Sequence, residues 1–100
     1  MIRHWKVHLP FFEVLTSPIS PSQKKALVEL ITTDQLKALS ELVYSVLTES
    51  IPIKTGHKEG LLRHKTLWIL LADKRVSLKE KKEKLKVAPL IRLLQAVNLQ

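Results

Sequence analysis

Residues 54–86 hold eleven lysines and arginines against four acidic residues, an excess of seven positive charges. Nearly all of the chain's formal net charge of +8 therefore sits there, since residues 1–53 carry five charges of each sign and Arg92 supplies the remainder. The chemistry open to such a cluster is capture of a polyanion. A nucleic-acid backbone presents closely spaced phosphates, and each one neutralised releases condensed counterions, so flexible ammonium groups hold it without touching a base. The candidate contacts are Lys58, Arg63 and Lys65, then Lys74 and Arg75, then Lys79, Lys81, Lys82, Lys84 and Lys86. About six phosphate contacts suffice for steeply salt-dependent binding. Lysine outnumbers arginine in the set, which points to sequence-indifferent contact rather than bidentate reading of bases. The competing reading is a solvated helix face, on which Glu80 and Lys84, four apart, support the helix and nothing more.

Other reactive combinations are sparse. His4 and His8 have the i, i+4 spacing of metal ligands on a helix, but the local alternation argues against a helix, and no third ligand lies nearby in sequence. His57 and His64 border the basic region and suit polar surface positions or charge modulation near neutral pH. The chain has no cysteine, hence neither a disulfide framework nor a thiolate metal site. It also lacks a glycine-rich phosphate loop, an acid pair in an apolar setting and a serine in a nucleophile elbow. The expectation is a non-enzymatic protein without metal or cofactor.

These side chains must be positioned by a small helical domain. One hundred residues are enough for a single core. With 45% hydrophobic residues and two glycines the chain reads as folded rather than as a disordered basic tail. The amino terminus lacks the features of a signal peptide, its apolar run being cut by Pro10 and Glu13. The longest apolar run, residues 67–72, is six long, far below the roughly 20 needed to cross a bilayer. A soluble, non-secreted protein of the nucleus, a virion or the cytoplasm is expected.

Trp5, Val7, Leu9 and Phe11 alternate with polar residues, so residues 1–15 read as an extended arm that packs its Trp and Phe on its own core or else pairs with a second subunit or another partner. A Ser- and Pro-containing linker over 16–20 completes the first segment, and residues 21–100 form the helical domain. Ser20 with Gln23 three residues on, and Pro21 between them, start a helix over 21–31. Thr33 or Asp34 caps a second, to about residue 49, with Leu36, Leu39, Val43, Val46 and Leu47 as its apolar stripe. Ile51-Pro52 stops it. A third, from about 55 or 56 to 71–74, is apolar on several faces around Trp68 and is expected to be the most enclosed. Ser77 and Glu80 form a capping box for the fourth, whose apolar residues are Leu78 and Leu85. Leu90, Ile91, Leu93, Leu94 and Val97 form a final short amphipathic helix.

In this order the elements resemble the small basic proteins of adintoviruses and related Polinton/Maverick elements. The likeness runs through Gln23-Lys24-Lys25-Ala26-Leu27, Leu36-Lys37-Ala38-Leu39-Ser40-Glu41, Val46-Leu47, Ile51-Pro52-Ile53, Leu62-Arg63-His64-Lys65 and residues 70–79. It spans roughly residues 21–86. It implies a viral or transposon-derived protein accompanying packaged DNA, with no catalytic residue to carry over. Val87-Ala88-Pro89 stands where the family has a Gly-Gly pair, and Thr55-Gly56 where a Thr-Pro-type start is expected.

The combined expectation is an all-α bundle of about four helices with an extended amino-terminal arm, binding or condensing nucleic acid. The alternative is an oligomerising or protein-docking module. Its partner surface is the arm residues Trp5, Leu9, Phe11 and Phe12 with Leu90 and Leu94 of the tail. A third option sets the C-terminal segment and the lysines on anionic lipid, and is weakened by the short tail.

Overall fold

The computed structural model describes residues 4–48, 53 and 56–97. Glu49, Ile51-Pro52, Lys54 and Thr55, named above, lie outside the described residues, as do residues 98–100. Within them every regular element is helical. A 3-10 turn, His4–His8, leads into α1 (Leu9–Thr16), α2 (Pro21–Glu29), α3 (Thr33–Leu47), α4 (Lys58–Leu62), α5 (Lys65–Ala72), α6 (Leu78–Leu85) and α7 (Leu90–Ala96). The all-α class holds. The described residues form seven α-helices where about four and a short final one were expected, because the arm is itself helical and the third helix is divided; the final helix stands where it was expected.

The extended arm is a correction. Two periodicities compete over residues 5–15, and the helical one wins: Trp5, Phe12 and Leu15 are buried while Val7, which alternation would have placed with them, is 77% exposed. Phe12 and Leu15, three apart, share one side of α1, and Trp5 is buried from the 3-10 turn that precedes it. Pro10 does not oppose this, because it stands in the first turn of α1, where its missing N–H has no intrahelical partner to lose. A Cα radius of gyration of 12.6 Å matches the approximately 13 Å of a compact 100-residue chain. No arm projects.

Helix starts follow the capping signals closely. Ser20 Oγ accepts from the Gln23 N–H at 3.1 Å and the Gln23 side chain accepts from the Ser20 N–H at 3.0 Å. Thr32, one residue before the expected cap, closes the same box with Gln35 at 3.0 and 2.9 Å. At α6 the Glu80 N–H donates to Ser77 Oγ at 3.2 Å, which supplies the cap half of the expected box.

The most enclosed helix is α3, not the one containing Trp68. It buries Leu36, Ala38, Leu39, Leu42, Val43 and Val46 and packs against α5, α6 and the amino-terminal 3-10 turn. In α5 only Trp68 and Leu71 are buried, and Ile69 is half exposed. Gly60 does not break the expected third helix. The break is at His64, whose backbone (φ −113°, ψ 28°) leaves the helical region. There the Leu61 carbonyl accepts from the His64 N–H and from the Trp68 indole N–H, each at 3.0 Å. Arg92 of α7 lies over Gly60: a Cβ at that position would meet an Arg92 guanidinium nitrogen at an ordinary contact distance of 3.5 Å. At the far end of α7, Val97 forms an isolated antiparallel bridge with Ile53.

Candidate nucleic-acid interface

Only one side of α6 is available to solvent, and its lysines divide accordingly. At 100° per residue, Leu78, Lys81 and Leu85 fall within about 60° of one another on the inner stripe. Lys81 is 4% exposed while Leu78 is 38% exposed, so the lysine stem does the packing that Leu78 was expected to do. Its Nζ donates to Ser40 Oγ of α3 at 3.1 Å. Burial pushes this amine below the usual lysine range, with Asp73 pulling weakly the other way. Lys81 is therefore a structural contact between α6 and α3, and its placement among the phosphate contacts is corrected.

Lys86 is also engaged. Its ammonium pairs with Glu29 of α2 and, at 3.0 Å, with Glu83. The side chain is only 18% exposed. Hydrogen bonding to Glu29 and then Glu83 raises the Lys86 pKa, and the same bond to Lys86 lowers that of Glu29. Arg75 is exposed but partly neutralised: its Nε and Nη2 donate to the two Asp73 carboxylate oxygens at 3.1 and 3.0 Å, and its backbone N–H reaches Oδ1 at 2.9 Å. That side-chain hydrogen bond holds Asp73 below the ordinary carboxylate value and Arg75 above the ordinary guanidinium one.

The remaining candidates are at the surface. Lys58, Arg63, Lys65, Lys74, Lys79 and Lys84 are exposed and Lys82 is half-buried. Among the described residues no carboxylate lies within salt-bridge distance of Arg63, Lys65, Lys74, Lys79, Lys82 or Lys84. The continuous basic face expected of α6 is less uniform than its composition, because its exposed polar positions are Lys79, Glu80, Glu83 and Lys84, two of each sign. Positive charge collects instead in two groups. One is the α4–α5 corner with Lys58, Arg63 and Lys65; the other is the α5–α6 loop and α6, with Lys74, Arg75, Lys79, Lys82 and Lys84. Lys65 opens α5 and Lys74 lies two residues past its end, so the two groups are set apart by the length of that helix, about 12 Å at helical rise.

Arg92, which faces α4 across Gly60, joins the first group and was not among the sequence candidates; a lone arginine 27 residues beyond Lys65 carries no local signal. Lys24 was visible as a polar surface residue, yet its ammonium donates to the Ala88 carbonyl at 3.0 Å and ties α2 to the start of α7.

The expected partner surface is largely interior. Trp5, Phe12 and Leu90 are at most 3% exposed, and Leu9, Phe11 and Leu94 pack half-buried against the same core. Phe11 and Phe12 meet edge to face. A docking role would need these side chains on the surface, so the alternative loses the residues assigned to it. No helix among the described residues is long and apolar enough to cross a membrane, and they contain no cluster of three metal-ligating side chains. Compared with family models, curated proteins and solved structures, the chain matches none.

Proposed function

We propose that this chain is a non-enzymatic protein that binds or condenses nucleic acid without regard to sequence, a role in keeping with its resemblance to the small basic proteins of adintoviruses and related elements. The observation that carries the reading is the set of six surface cations, Arg63, Lys65, Lys74, Lys79, Lys82 and Lys84, with no carboxylate partner among the described residues. Electrostatic selection follows from their chemistry: exposed ammonium groups on long side chains track phosphates and leave base edges unread. The scaffold beneath is fixed by the α3-centred core, so binding needs no folding transition.

The direct test is a titration of two unrelated DNA duplexes at low salt with the parent chain and with a Lys74→Gln, Lys79→Gln, Lys82→Gln, Lys84→Gln variant. Equal affinity for both duplexes, lost in the variant, supports the proposal. Binding by the variant as tight as the parent's, or a strong preference for one duplex, refutes it.

A further inference from the structure

An apolar groove opens between the C-terminal half of α3 and the α4–α5 corner. Val46 and Leu47 from α3, Leu61 and Leu62 from α4, Trp68 from α5 and Leu93 from α7 line it. Its volume is about 130 Å³, close to the approximately 150 Å³ at which an aliphatic cavity accepts a benzene ring. Trp68 is held in place by the indole hydrogen bond to Leu61, so one wall is fixed before anything binds. Leu62 is 48% exposed, leaving apolar surface at the mouth uncovered.

The polar residues that line the groove are Lys58 and Lys65. Arg63, His57 and His64 are exposed on the same corner, Arg92 stands against Gly60, and Glu59 is the one acidic residue of α4. An apolar recess inside a cationic rim is complementary to an apolar group carried between negative charges.

We infer that this groove receives a single large apolar side chain, leucine or phenylalanine, presented by an acidic peptide segment of another protein. The recess is one side chain in size, too small to enclose a long acyl chain. Its lining side chains have no free neutral donor or acceptor for the edge of a nucleobase, whose burial unpaired would be unfavourable, since the Trp68 indole N–H is taken by the Leu61 carbonyl. A second copy of the chain is a poor occupant because each copy carries a net charge of +8. Anchoring by one buried apolar side chain within a charged rim is the usual anatomy of a short peptide contact. This site shares Lys65 and Arg63 with the polyanion proposal, but Lys74, Lys79, Lys82 and Lys84 take no part in it, so the quadruple lysine variant separates the two.

The experiment follows amide and indole N–H resonances of the full chain while a short peptide with Glu-Glu-Leu-Phe-Glu-Glu at its centre is added. Matched titrations use the same peptide with glutamine for every glutamate, and octanoate. Saturable shifts at the Trp68 indole, Leu47 and Leu62, weakened about tenfold or more by Lys65→Glu or by Leu62→Glu, are expected. Both substitutions are at exposed positions, and a parent-like spectrum outside the groove confirms folding. The inference is overturned if the glutamine peptide binds equally, if Lys65→Glu leaves affinity unchanged, if octanoate occupies the groove and the peptide does not, or if sizing shows the groove closed by a second copy. Failure of DNA binding in the quadruple lysine variant leaves these expectations intact.

Discussion

Lys81 separates a structural lysine from its surface neighbours, and substituting it three ways tests that distinction. Lys81→Ala deletes three buried methylenes at about 0.8 kcal/mol each, a loss of roughly 2 kcal/mol before any cavity relaxation. Lys81→Met keeps a chain of similar length and removes an ammonium that is expensive to bury, so it should be neutral or stabilising by about 1 kcal/mol. Lys79→Gln, on the exposed side of the same helix, should stay within about 0.5 kcal/mol of the parent. Urea unfolding resolves these differences: with a slope of about 2 kcal/mol per molar, the alanine midpoint falls by about 1 M relative to the parent. The pH dependence adds a second reading. Burial lowers the folded-state pKa of Lys81 below its ordinary 10.5, so between those two values the unfolded state binds more protons and this group makes stability rise with pH. Lys81→Met should abolish that contribution. Equal loss of stability in the methionine and alanine variants would refute the packed stem, and loss of DNA affinity in Lys81→Met would return the amine to the surface.

Three further outcomes follow from the same structure. Glu29, whose pKa is lowered by Lys86 from the ordinary 4.5, contributes stability that is present above that value and lost as pH falls through the lowered one; acid titration of Glu29→Gln should show a shallower loss than the parent. Ser20→Ala and Thr32→Ala each remove one half of a capping box and should cost about 1 kcal/mol, read by thermal unfolding. Phe12→Ala, at a side chain with no exposed surface, should cost about 3–5 kcal/mol. Deleting residues 1–15 should accordingly unfold the chain rather than convert a dimer to a monomer, as sizing and circular dichroism would show.

Where the sequence was legible, the signal was local. Ser20-Gln23 and Ser77-Glu80 marked helix starts because a cap is closed within four residues, and the stripe through Leu36, Leu39, Val43 and Val46 marked α3 because its period is set by one helix. Tertiary choices left no such mark. Residues 5–12 satisfied both a two-residue and a helical period, and the decision rested on whether Phe12 and Leu15 had a core to enter. Lys81 differs from Lys79, Lys82 and Lys84 only in its angle on α6 relative to Ser40, 41 residues away. Charge composition likewise overstated the cationic face, since Lys86 spends its charge on Glu29 of another helix and Lys79 and Lys84 share the outer face with Glu80 and Glu83.

The salt dependence of DNA affinity tests the central claim most directly. Six cations with no salt-bridged carboxylate among the described residues predict a slope of log K against log salt of about −5, and replacing Lys74, Lys79, Lys82 and Lys84 should bring it to about −2. The parent and Lys81→Met should give the same slope. A flat parent profile, or a slope that falls with Lys81→Met and not with the four surface substitutions, would contradict the account.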